Sequence, residues 1–230
     1  MALIDNLVSY YKMEGNSNDS VGSNNGTDTS ITYSAGNGKI DQGAGFNGSS
    51  SKIVIGNVLS SSPTNFTLSA WVKVTSLASA RTIIADRAGS SYSYKYRLLI
   101  EASGLVRLNV YNESGAILTA IVTSTGKITT GTYFHIVATV TIGGTCYLYV
   151  NNVSEASSAY VTGSYPSHTN SSSIGVIVGP VTEEWHNGNA DELGIWSRAL
   201  SAAEVTELYN AGAGLTYPFM SNRANFLAFF

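Results

Sequence analysis

The sequence predicts an all-β protein, a sandwich of two antiparallel sheets with one short C-terminal helix. Three observations predict it. Charged residues make up 12% of the 230-residue chain and hydrophobic residues 43%; that charge is about half the ~25% usual for globular chains. Polarity therefore comes from Ser, Thr, Asn and Gly, and the apolar content excludes a disordered chain. Short runs of β-formers recur between clusters of those small polar residues. Two pairs of runs also alternate strictly enough for their register to be derived.

The runs, in order, are Leu7–Met13, Lys52–Ile55, Phe66–Val74, Arg81–Asp86, Tyr94–Glu101 and Leu105–Tyr111. Ile117–Val122, Tyr133–Thr141, Thr145–Val150, Ser173–Val178 and Asp191–Trp196 follow. Each is rich in β-branched and aromatic residues, which fit a pleated, half-buried surface. Ser201–Asn210 alone reads as a helix, with Ser201 as cap, Glu204 at the capping-box position and Gly212 just beyond. No linker, charge block or fixed repeat divides the chain. The reading is one domain over 1–212 and an apolar tail over 213–230 that holds Phe219, Phe226, Leu227, Phe229 and Phe230.

Ala102-Ser103-Gly104 joins the first hairpin as a three-residue turn with glycine last. Pairing Glu101 with Leu105 sets Leu98 opposite Leu108 and Ile100 opposite Val106, an apolar face. The other face carries Arg97, Glu101, Arg107 and Asn109, with Leu99 as the exception. In the second hairpin, Phe134, Ile136, Ala138 and Val140 share a face with Cys146, Leu148 and Val150 only if Ile142-Gly143-Gly144 is the loop. His135, Thr139, Tyr147, Tyr149 and Asn151 then gather on the opposite face, expected to be wet. Tyr, Arg and Asn on a wet sheet suit sugars, which offer apolar C–H faces and hydroxyls; ordinary cross-strand pairing accounts for the same residues. Trp185 and His186 lie in a polar loop, where an exposed aromatic would stack on a sugar or dock a protein. Candidate ligand contacts are thus Trp185, His186, Tyr147, Tyr149, Arg97 and Arg107. Trp71, of opposite parity to Phe66, Leu68, Ala70 and Val72, is expected to pack under a covering segment.

Several chemistries are excluded. A net charge of −3 offers no basic field for nucleic acid, and no apolar run approaches the ~18–20 residues of a membrane span. Cys146 is the one cysteine, so no disulfide forms, and at an inward position it reads as a buried hydrophobe. His135, His168 and His186 lack partners at zinc-ligand spacing. No phosphate loop or nucleophile elbow occurs. The acidic clusters are Glu183-Glu184 and Asp191-Glu192. Neighbours on a strand point to opposite faces, so Asp191 and Glu192 cannot flank one glycosidic bond as hydrolysis requires, and no acidic pair alternates at i, i+2 or i, i+4. Asp191 shares parity with Leu193 and Ile195 and is expected to point inward, bonded to loop amides or to a cation. Asp19 and Asn47 are turn oxygens that could complete a calcium site.

The series of segments resembles the laminin-G-like, concanavalin A-like lectin/glucanase jelly-roll family. Leu7-Val8-Ser9-Tyr10-Tyr11 with the loop Asn16–Gly26 is similar to its first strand and Asp/Gly-rich loop. Gly43–Ser51 resembles its next strand and tight turn, Phe66–Lys73 its central strand, and Tyr133–Thr139 with Tyr147–Asn152 its later hairpin. Asn189-Ala190-Asp191-Glu192-Leu193-Gly194-Ile195-Trp196-Ser197-Arg198-Ala199-Leu200-Ser201 is the most specific match. The resemblance implies a jelly roll, and calcium, common in relatives, with Asp191 and Asp19 as members of its site. The glucanase branch's acidic strand motif is not matched.

A chain that starts Met1-Ala-Leu-Ile-Asp5, without a secretory signal, also resembles stand-alone modules among bacteriophage structural proteins. The functional expectation is a non-catalytic recognition module on a virion surface, as decoration or tail fibre, that binds host-surface carbohydrate. Beside it stand a purely structural virion assembly protein, self-associating through the C-terminal tail, and a glycoside hydrolase. Away from a virion, the expected location is the cytoplasm, or the medium after lysis.

Overall fold

The structure, a computed structural model, describes residues 1–59, 65–87, 94–112, 114–123, 125–160, 171–177 and 184–219. The first strands are β1 (Leu7–Tyr11), β2 (Thr27–Thr29), β3 (Thr32–Ser34), β4 (Gly43–Asn47) and β5 (Lys52–Gly56). The middle of the chain forms β6 (Asn65–Val74), β7 (Arg81–Arg87), β8 (Tyr94–Ile100), β9 (Val106–Tyr111) and β10 (Ile117–Val122). Then come β11 (Tyr133–Thr141), β12 (Thr145–Val150), β13 (Val153–Ala159), β14 (Ser172–Ile174), β15 (Asn187–Trp196) and the helix α1 (Ala202–Tyr209).

Among the described residues these strands make two antiparallel sheets. One has eight strands in the order β13-β12-β11-β6-β15-β4-β3, with β1 beside the second half of β15; the other has seven, β10-β9-β8-β7-β14-β5-β2. Phe66, Leu68, Val72, Ile136, Ala138 and Leu148 from the first meet Ile53, Ile84, Tyr96, Leu98 and Leu108 from the second in one core. Each large apolar side chain buried there contributes roughly 1.5–3 kcal/mol. This is the jelly-roll sandwich that the sequence predicts.

Both derived registers are observed. Leu98 pairs with Leu108 and Ile100 with Val106, and the turn closes through Gly104, at φ 78°, whose amide donates to the Glu101 carbonyl at 2.9 Å. Ile136 pairs with Val150 and Ala138 with Leu148. The helix has its capping box: Ser201 accepts from the Glu204 amide while Glu204 reaches back to the cap.

Three features differ from the sequence reading. β2, β3 and β13 are short or polar and largely exposed, so their pairing comes from strand neighbours rather than from an apolar pattern. Much of the outer face of the eight-stranded sheet is covered rather than wet. Leu3, Leu7, Tyr10, Val137, Tyr149, Trp196, Leu200, Val205 and Leu208 form a second apolar cluster there, with Leu215, Tyr217 and Phe219 packed against it. The tail therefore lies along its own sandwich as far as Phe219, while Phe226, Leu227, Phe229 and Phe230 fall outside the described residues. Trp71, as expected, packs under a cover, in a cluster of three rings with His135 and Tyr209 at 5.0 and 5.8 Å. Third, β15 carries a bulge at Glu192, at φ 48°. The extra residue reverses the alternation, so Asp191 pairs with the outward Trp71 instead of sharing the inward side of Leu193 and Ile195.

Candidate functional site

A polar cleft lies on the eight-stranded sheet, where β3, β4 and β15 run side by side. In register, Thr32 pairs with Gly45 and Gly45 with Asn189. Thr32, Gly45, Asn47, Gly188 and Asn189 supply floor and sides, and Ser30, Asn37, Thr75 and Phe46 complete a cavity of about 370 Å³. Among the described residues no charged side chain lines it. Glycine is required at two floor positions. A Cβ on Gly45 would stand 2.6 Å from Asn37 Nδ2 and Thr32 Oγ1, and one on Gly188, at φ 147°, would strike the Lys73 carbonyl. Asn37 Nδ2 donates to the carbonyl and hydroxyl of Thr32 at 3.2 and 3.3 Å. At the rim, Asn47 Oδ1 accepts from the amides of Ser49, Ser50 and Ser51 at 2.9–3.1 Å. A cleft of this kind offers donors and acceptors without the desolvation cost of a charge.

The six residues expected to contact ligand do not converge. Trp185 is half-buried in the loop that leads into β15, and its carbonyl accepts from Arg81 at 3.0 Å. His186 is buried, 1% exposed, which corrects its expected place on an open loop. Its ring meets the edge of Phe46 at 5.4 Å, and Nε2 donates to the Asn189 carbonyl at 3.2 Å. Burial pushes its pKa down to about 4, so the neutral ring supports the cleft from behind. Arg97 and Arg107 lie on the outer face of the seven-stranded sheet, ion-paired with Glu184 and Glu101. Thr82 Oγ1 also donates to Glu184 at 3.3 Å. Tyr147 and Tyr149 belong to the other sheet, their ring centroids 6.2 Å apart. Tyr147 is exposed, but Tyr149 is buried in the second apolar cluster, contrary to a wet face there.

Asp19, Asn47 and Asp191 do not assemble a calcium cage. Asp19 accepts from the amides of Tyr10 and Val21 at 3.0 Å and of Asn24 at 3.2 Å. Asn47 caps its turn. Asp191 Oδ2 accepts from the amides of Lys39 and Ile40 at 2.8 and 2.9 Å, and Oδ1 from that of Glu192 at 2.9 Å. These amides take the carboxylate lone pairs that a cation would need. Among the described residues no three His, Cys, Asp or Glu side chains group around a common point. Burial pushes Asp191 up to about 8, against the pull of those amides.

Sequence reasoning missed Thr32, Asn37, Gly45, Gly188 and Asn189. Gly188 and Asn189 lie in the Asn-Gly-Asn cluster at 187–189, which by itself reads as turn punctuation; Thr32, Asn37 and Gly45 carry no comparable signal.

No curated protein sequence matches the chain. Among solved structures, domain 4 of AbnA, a GH43 extracellular arabinanase from Geobacillus stearothermophilus, was determined in complex with arabinotriose. It superposes with a TM-score of 0.66 at 24% identity, over 87% of this chain and 97% of that one. The binding domain of Paraclostridial Mosquitocidal Protein 1 gives 0.71 at 19% identity over 90% of this chain, and that of Botulinum Neurotoxin DC in complex with SialylT gives 0.68 at 13% over the same share. This chain spans about half the length of those toxin domains, 52% of each. Such likenesses show a shared lectin-like fold. The sequence itself matches the family model of the concanavalin A-like lectin/glucanases superfamily over residues 47–206, from the end of β4 into α1, and the chain belongs to that superfamily.

Proposed function

We propose that this protein is a non-catalytic carbohydrate-recognition module that binds a neutral saccharide in the cleft between β3, β4 and β15. The observation that carries the reading is a cleft of about 370 Å³ lined by Asn, Ser, Thr, Gly and Phe46 with, among the described residues, no charged side chain. A saccharide presents many hydroxyls and no charge, and this lining answers both. Phe46 is the aromatic side chain that lines the site. Support comes from the fold shared with a domain solved with arabinotriose and with binding domains of toxins. A non-catalytic role is supported by the likeness to toxin binding domains. Glycan-array screening followed by calorimetry tests the reading. Thr32→Val and Asn37→Ala are each expected to weaken binding about tenfold, the loss of one hydrogen bond's worth of affinity. Absence of any neutral-saccharide signal, or equal binding by the double variant, overturns the site.

On the resemblance to phage structural modules, we further propose that the module is displayed on a virion. Mass spectrometry of purified particles should find the chain; particles without it overturn that placement. An assembly role is the second reading, favoured by a groove of about 390 Å³ bordered by Ala2, Leu3, Ile4, Tyr217, Pro218 and Phe219, with Glu207 as its charged member. Light scattering that shows only monomer at high concentration rejects self-association.

A further inference from the structure

One wall of the cleft, Asn37, sits on a strap that crosses the eight-stranded sheet from β3 to β4. Side chains of the sheet hold the strap's backbone at successive points. Lys73 Nζ donates to the Gly36 carbonyl at 3.5 Å, the Tyr133 hydroxyl donates to the Asn37 carbonyl, and Asp191 accepts from the amides of Lys39 and Ile40. At the far end Glu14 accepts from the Gln42 amide at 3.2 Å. The gripping residues stand in two adjacent rows of the sheet. Tyr133, Lys73 and Asn189 are in register across β11, β6 and β15, and His135, Trp71 and Asp191 form the next row. The ammonium of Lys73 lies 4.8 Å from the Tyr133 ring centroid, and that of Lys39 closes back over Trp71 at 4.6 Å. The strap lies too close for extra atoms: a Cβ on Gly43 would stand 2.2 Å from the Asn37 carbonyl oxygen, and one on Gly38 2.5 Å from that of Asp41. Asn189 belongs to the first row and also lines the cleft, so the rows that grip the strap also place the cleft floor.

We infer that Asp191, Tyr133 and Lys73 are positioning residues: they clasp consecutive backbone groups of the strap and thereby hold Asn37 at the distance from Thr32 and Asn189 that a bound saccharide requires. The inference rests on the cleft being the saccharide site. It assigns the buried aspartate of β15 a role in recognition through the strap rather than through a metal.

Hydrogen exchange and calorimetry on the full chain, with arabinotriose as the neutral probe, test it. Tyr133→Phe removes only the hydroxyl. It is expected to speed exchange of the amides at 38–40 about tenfold and to weaken arabinotriose binding about tenfold, the scale of one hydrogen bond. Protection in β6 and β11 and the melting temperature should stay as in the parent. Asp191→Asn is expected to act in the same direction and more strongly, and Tyr133→Phe decides the matter if that variant fails to fold. Unchanged exchange at 38–40 in Tyr133→Phe overturns the clasp, and faster exchange with unchanged affinity overturns its positioning role. If the parent protein binds no neutral saccharide, the proposed function fails, while the exchange data still decide whether the clasp exists.

Discussion

His135 shows how burial decides what a residue can do. On the sequence it is a polar residue of a wet strand face; in the fold it is 2% exposed, with Nε2 2.9 Å from Ser69 Oγ and its ring 5.0 Å from that of Trp71. Burial pushes its pKa down to about 3. Because the folded pKa lies below the unfolded value, its contribution to stability is present above the ordinary histidine range and is lost as pH falls toward 3. Glu192 has the opposite sign. Burial, the largest cause, raises it to about 7, so stability is lost as pH climbs from the usual glutamate range through 7. Urea titrations across pH 4–8 should show Glu192→Gln flattening the alkaline limb, by on the order of 3 kcal/mol, and His135→Gln flattening the acid limb. A parent-like pH profile in either variant refutes the corresponding assignment. Glu204 is held at about 2: burial would raise it, but bonds from Arg198 and Ser201 win. Arg198 meets its carboxylate at 2.7 and 2.9 Å and also donates to the carbonyls of Asp5 and Ala2. Arg198→Ala should cost about 3–5 kcal/mol in chemical denaturation, since it strands a buried carboxylate.

At the scale of elements, β15 is the strand on which the site depends. Its first half pairs with β4 and floors the cleft, and its second half pairs with β1. The bulge at Glu192 separates the two and turns Asp191 outward to the strap. Gly188 joins β15 to β6 at φ 147°, facing the Lys73 carbonyl, and Gly188→Ala is expected to destabilise the fold by more than ~1 kcal/mol, the cost of strain plus a displaced ladder. Thermal melts that match the parent would show that the strand yields locally. Helix α1 serves the opposite end: its cap fixes the entry angle that lays Val205 and Leu208 over Trp196 and Val137. Ser201→Ala should cost about 1 kcal/mol, read as a lowered urea midpoint with unchanged slope.

For the whole molecule, two apolar clusters, the shared core and a second one outside it, hold the sandwich together. The oxygens of Asp19, Asn47 and Asp191 are taken by backbone amides. Saturating chelator is therefore expected to leave the melting temperature unchanged, and a fall of several degrees would contradict that view.

The sequence by itself determined the fold class, the two hairpin registers and the capped helix. Alternation, glycine turns and capping boxes are local rules, satisfied by residues a few positions apart. Only the tertiary structure decided which faces stay open. Val137 and Trp196 are covered by residues from both chain ends, and no local pattern records that. The bulge at Glu192 was equally hidden, because a left-handed residue that is not glycine or asparagine leaves no mark, yet it reverses the direction of Asp191. The cleft joins residues near 32, 45 and 189, and its clasp joins residues 39 and 40 to residue 191. Such a site exists only once three distant strands lie in register, because hydrogen bonds act over ångströms of space, however far apart their partners stand along the chain.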